Sequence, residues 1–139
     1  MEVIANELQT VEVNNSVLFQ TALSSSNPSI IWRAGSGLVT LRGLGPQLRA
    51  RFRVAYHANV AVSTGAEVAP VEMAVRINGE GVASSLTMST PAAVEEFNSI
   101  SASTLIDVPA GCCTQITLAN VGTTSIDVQN VSMTIERVA

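Results

Sequence analysis

Lysine is absent from this chain: all seven basic residues are arginine, namely Arg33, Arg42, Arg49, Arg51, Arg53, Arg76 and Arg137. Either codon usage or a need for fixed, planar contacts, which guanidinium makes better than ammonium, produces such a bias. Aromatic residues are 4% of the sequence and charged residues 13%. His57 is the one histidine, and Cys112 and Cys113 are the only cysteines. Adjacent cysteines close only a strained ring and leave no third thiol for a disulfide framework. Both are expected to be reduced, with strand alternation sending one inward and the other outward. Without a Cys-x-x-Cys spacing or further histidines, no metal site and no cofactor are expected. No apolar run approaches the roughly 20 residues that span a bilayer as a helix. The start, MEVIANELQT, has neither the basic nor the apolar region of a secretory leader. The net charge of −4 argues against sequence-independent binding of nucleic acid.

What is present is apolar and mild. Hydrophobic residues make up 47% of the 139, mostly Ala and Val, which excludes disorder and suits a chain that hides surface in an assembly. The length fits one domain. The dominant feature is Leu48 to Ser63, LRARFRVAYHANVAVS. Its alternate residues Leu48, Ala50, Phe52, Val54, Tyr56, Ala58, Val60 and Val62 make one apolar face, so the stretch is a strand with one side in a core. The other side carries Arg49, Arg51 and Arg53, then Ala55, His57, Asn59, Ala61 and Ser63. An arginine ladder that gives way to small polar residues is a face suited to a partner.

Around it, short alternating segments recur. Leu8–Val13, Val17–Ala22, Ile30–Arg33 and Leu38–Arg42 are expected strands, separated by Asn14-Asn15-Ser16, by the Ser-, Asn- and Pro-rich loop 23–29, and by Gly35-Ser36-Gly37. Gly43-Leu44-Gly45-Pro46 is expected as a turn; no helix or lysine follows to make it a phosphate loop. After loop 64–70, Val71–Ile77 and Val82–Met88 form a hairpin on the strong turn signal Asn78-Gly79. Ala92–Phe97 is either a helical turn or a loop. Asn98–Val108, Thr114–Val121 and Asp127–Val138 complete about nine strands with short turns, which predicts an antiparallel sandwich or barrel. On the closing strand, Val131, Met133 and Ile135 point inward and Asn130, Ser132, Thr134 and Glu136 outward.

The order of these motifs resembles the trimeric jelly-roll heads of the tumour necrosis factor and complement-head type. LQTVEVNNSVLFQTA, the short Leu38–Arg42 strand and the long Phe/Tyr-bearing strand come first. VRINGEGV, TLIDVPAGCCTQITLANVGTT and NVSMTIERV follow. It resembles especially the bacterial and phage branch: auxiliary proteins on phage capsids and the heads of collagen-like spore-surface proteins. No Gly-X-Y stalk precedes the head, which tells against the spore filament. The resemblance implies an all-β, single-domain antiparallel jelly roll over residues 8–139, behind a short N-terminal arm, residues 1–7. With Met1 close to the first strand and no leader, it implies a free-standing homotrimeric decoration protein on the outside of a bacteriophage capsid, assembled in the host cytoplasm. Its partner would be the major capsid protein, with no role for nucleic acid or membrane. The alternative is a trimeric head that binds a host-cell or glycan ligand; an enzyme is not expected.

The same resemblance places the closing strand beside the long strand, on the sheet that faces the threefold axis. Arg49, Arg51 and Arg53 would lie near Glu136, and Ala55, His57 and Asn59 near Thr134, Ser132 and Asn130. These ten residues are the expected trimer interface, and Val3 and Ile4 the expected capsid contact. Several sharper readings compete with plainer ones. His57 as a catalytic base would need a placed nucleophile and acid, and nothing puts Ser63 or Asp107 beside it. Arginines 42 to 53 could hold a polyanion, but Phe52 and Tyr56 alternate onto the core face and form no stacking platform. Trp32 with Arg33 is a surface contact or, more plainly, a core tryptophan. Glu95 and Glu96 are neighbours in sequence and make a solvated loop rather than a glycosidase pair.

Overall fold

A computed structural model describes residues 1–23, 28–45, 48–111 and 113–139. Most of the expected loop 23–29, Pro46 of the expected turn and Cys112 lie outside the described residues. Twelve strands occur among those described: β1 Glu2–Ala5, β2 Gln9–Val11, β3 Thr21–Ala22, β4 Ile30–Trp32, β5 Val39–Arg42, β6 Arg49–Val62, β7 Val71–Ile77, β8 Glu80–Gly81, β9 Thr87–Ser89, β10 Asn98–Pro109, β11 Cys113–Asn120 and β12 Ile126–Arg137. They form two antiparallel sheets. One runs β10-β6-β12-β1-β3, with β2 also on β12; the other runs β4-β5-β11-β7-β8, with β9 also on β7.

The inner faces are lined as period-two alternation requires. Phe52, Val54, Met133 and Ile135 of the first sheet meet Leu41, Met73, Ile116 and Leu118 of the second, all fully buried. Tyr56 spans the gap: its hydroxyl donates to the Ser85 carbonyl at 2.6 Å and sits 3.0 Å from the Thr87 hydroxyl. Burial pushes the Tyr56 phenol above its ordinary pKa. Asn120 ties one end of the sandwich together. Its side-chain amide donates to the carbonyls of Val11 and Thr124 and accepts from the Gly122 backbone N–H. Among the described residues no buried side-chain polar atom lacks a partner.

Several expectations are corrected. Residues 1–7 are not an arm: Glu2–Ala5 is β1, paired with β12 on one side and β3 on the other. Val3 is fully buried, so its side chain belongs to the core and is closed to a capsid. Of Val17–Ala22 only Thr21–Ala22 is strand, although Val17 and Phe19 are still buried. This stretch crosses from one sheet toward the other, its Val17 N–H bonding the Leu118 carbonyl. Val82–Met88 is broken by a 3-10 turn at Ala83–Ser85 before β9. There the buried Ser85 hydroxyl accepts from the Val75 N–H and donates to the Val82 carbonyl, side-chain bonds that replace a continued ladder. Leu48 points to solvent, 90% exposed, because it lies just outside the paired strand. Trp32 is half-buried rather than central, its indole N–H donating to the Ser36 carbonyl at 2.8 Å.

Other details follow the turn chemistry. Asn78 and Gly79 both have positive φ, 49° and 91°, as a tight hairpin turn requires. The undecided Ala92–Phe97 contains a turn and no helix, with Glu95 accepting from the Thr64 hydroxyl.

Candidate functional site

Two long strands, β6 and β10, set the site. All twelve residues of β10 register with β6, from Asn98 opposite Val60 to Pro109 opposite Arg49. On the other side of β6, β12 pairs in the expected antiparallel sense. The three strands present one outer face, and its chemistry changes along its length.

At the end where β6 begins, the face is ionic and apolar. Arg51 Nε donates to Asp107 Oδ1 at 2.8 Å and Nη2 to Oδ2 at 3.3 Å. Arg49 Nη1 reaches Oδ2 of the same carboxylate at 3.4 Å. The Arg51 hydrogen bond holds the Asp107 carboxyl below its usual pKa, and the same bond raises that of Arg51. Leu105, opposite Arg53, is 59% exposed, and Val138, whose N–H bonds the Arg51 carbonyl, is 48% exposed. Exposed aliphatic side chains thus stand beside the surface ion pair on this face.

Halfway along β6 the face becomes small. His57 registers with Ser101 on β10 and Ser132 on β12; Ala55 registers with Ser103 and Thr134. These residues line a shallow depression. Ser132 is itself buried and donates to Glu2 Oε2 at 2.7 Å, so β1 joins the site from the far side of β12. Further along, the Ser99 hydroxyl donates to Asn59 Oδ1 at 2.8 Å.

The expected residues thus share one sheet, but their partners differ in part. Glu136 registers with Arg53 alone; Arg49 and Arg51 turn the other way, to Asp107. Asn59 faces Gln129 rather than Asn130, because the register slips between Gln129 and Ser132. Asn130 takes a positive φ of 54° in this bulge, a conformation asparagine tolerates better than most residues. Leu105, Asp107 and the serines of β10 were not among the expected site residues. Their alternation was readable, but sequence alone does not say which strand flanks β6.

Elsewhere the chemistry is sparse. Ser63 and Asp107 lie toward opposite ends of β6 and β10, so neither completes a triad with His57; the Ser63 hydroxyl donates to Asp127 instead. Among the described residues no three His, Cys, Asp or Glu side chains are grouped to hold a metal, and no helix is long and apolar enough to cross a membrane. Cys113 is exposed.

No protein-family model matches this chain, and no curated protein does. Solved structures do. The globular domain of zebrafish complement 1qA protein aligns over 96% of this chain and 93% of its own, at 11% identity and a TM-score of 0.53. The C-terminal domain of EclA, a sugar-binding protein, aligns over 95% of this chain and 79% of its own at 13% identity, with a TM-score of 0.42. Isomalto-dextranase of Arthrobacter globiformis T6, complexed with panose, aligns at 12% identity and a TM-score of 0.33; this chain spans 23% of its length. The first likeness concerns fold alone, and with the strand order it settles one point: the chain is an all-β sandwich of the complement-head and tumour necrosis factor type.

Proposed function

We propose that this chain is a homotrimeric structural head, packed about a threefold axis through the outer face of the β10-β6-β12 sheet, that decorates the outside of a bacteriophage capsid. The observation that carries the trimer is the composition of that face: exposed Leu105 and Val138 beside an Arg51–Asp107 pair, then only small residues around His57. Large apolar groups supply area to bury, paired charges fix register, and Ala55, Ser101 and Ser103 let neighbouring sheets approach closely. Arg53 and Glu136 share a register position without an ion pair between them, and in this reading they bond across chains. The capsid role, with the major capsid protein as partner, rests on the likeness of motif order to phage auxiliary heads.

A binding head for a host-cell or glycan ligand is the competing function for the same trimer. Mixing purified protein with undecorated capsids and imaging them separates the two. Stoichiometric, ordered coating supports decoration. Bare capsids together with saturable binding to cells or a glycan array would replace it with the second function.

A further inference from the structure

We propose that Asn78 is a modification site, an asparagine set to convert to aspartate and isoaspartate and held back by β11 while the β7-β8 hairpin stays closed. The turn belongs to the other sheet, so this stands apart from the trimer reading.

Asn78-Gly79 is the only Asn-Gly dipeptide in the chain. Both residues are exposed at the hairpin tip. Conversion requires the Gly79 backbone nitrogen to reach the Asn78 side-chain carbon Cγ. That nitrogen is accessible on two counts. Its N–H makes no hydrogen bond among the described residues. Glycine has no side chain to shield it, and nothing lies within 4 Å of where a Cβ would stand.

The Asn78 carboxamide, by contrast, is held. The Asn78 N–H donates to the Gln115 carbonyl at 2.8 Å, and Asn78 Oδ1 accepts from the Gln115 N–H at 3.0 Å. Both bonds end on one residue of β11, so the side chain is folded back beside its own N–H and away from Gly79. The Oδ1 bond must break and the side chain must turn before Cγ meets the Gly79 nitrogen. The nucleophile is free and the electrophile is tethered.

The chemistry needs only water and base. Base takes the proton from the Gly79 nitrogen, which forms a bond to Cγ. The Cγ–Nδ2 bond then breaks, and Nδ2 leaves as ammonia with a proton returned by water. Water next opens the cyclic imide. Breakage of the new bond to Cγ gives aspartate; breakage of the main-chain bond to the Gly79 nitrogen gives isoaspartate. Nothing is oxidised or reduced. Isoaspartate adds a carbon to the backbone path of a two-residue turn, whose geometry it no longer fits.

Incubation of the wild-type protein in mildly alkaline buffer tests this, once folded and once in denaturing guanidinium chloride at the same pH. Cleavage after Glu72 and Glu80 releases Met73–Glu80, MAVRINGE, in which mass spectrometry reads the conversion. Asn15-Ser16 and Asn98-Ser99, where a serine side chain crowds the nitrogen, are the internal references. The unfolded chain should convert Asn78 ahead of both. The folded chain should convert it about tenfold more slowly, since the hydrogen bonds to Gln115 must open first. Gln115→Pro, which removes the tethering N–H, should bring the folded rate close to the unfolded one, with circular dichroism to show that it folds. If this variant does not fold, the wild-type comparison decides alone. Equal rates in the folded and unfolded wild type overturn the restraint by β11. Unfolded chain that converts Asn15 or Asn98 before Asn78 overturns the site itself.

Discussion

Arg51 and Asp107 are cross-strand partners on β6 and β10, joined by two hydrogen bonds of 2.8 and 3.3 Å, with Arg49 bracing the same carboxylate from the strand end. The pair sits on the sheet surface, where an ion pair in a lone chain adds little stability. Its sign is nevertheless definite. The Asp107 carboxyl is held below its ordinary pKa by Arg51, so its contribution is complete above about pH 4 and is lost as pH falls through the lowered folded value. Urea unfolding of wild type and Asp107→Asn should therefore differ slightly at neutral pH and converge in strong acid. A gap that widened with acid would refute the pairing.

Asn120 should be far less tolerant. It is fully buried and bonds two carbonyls and a backbone N–H that fix the turn after β11. Replacement by alanine strands these groups away from water, at about 1–3 kcal/mol for each group left unsatisfied. Chemical denaturation of Asn120→Ala should show a loss of about 3 kcal/mol. A loss under 1 kcal/mol would mean that water or a shifted turn takes over the bonds.

The N-terminal strand makes a third case. Val3 is fully buried, β1 occupies one edge of β12, and the Met1 amino group donates to the Ile135 carbonyl. Val3→Ala should lower stability by about 2 kcal/mol through the cavity left behind. Removal of residues 1–5 should unfold or aggregate the chain, since it bares the edge of β12. A truncated protein with an unchanged melting curve would return this segment to the status of a loose arm.

These residues also show what a lone sequence reveals of such a fold. Strict alternation carried the long strand, because one face of β6 is buried from Ala50 to Val62 and tolerates no polar intrusion. The Asn78-Gly79 turn was legible for an equally local reason, its two positive φ angles. Pairing across the sheet is not local. Nothing in the run Asn98–Pro109 names β6 as its neighbour, so Asp107 was missed as the partner of Arg51 and the arginines were assigned to Glu136. The bulge at Asn130 moved the register by a further step that alternation cannot foresee. Four residues of β1 are too few to establish a period, and their burial comes from the strands on either side.

The central claim is that the outer face of the β10-β6-β12 sheet joins three chains. Sedimentation equilibrium at micromolar concentration and pH 7.5 tests it on wild type, on Ser103→Arg in the small part of that face, and on Gln115→Arg on the exposed side of β11 in the other sheet. The wild type and Gln115→Arg should have three times the 14.5 kDa chain mass, and Ser103→Arg should be a folded single chain. A wild type of single-chain mass, or a Ser103→Arg protein that remains trimeric, would contradict it.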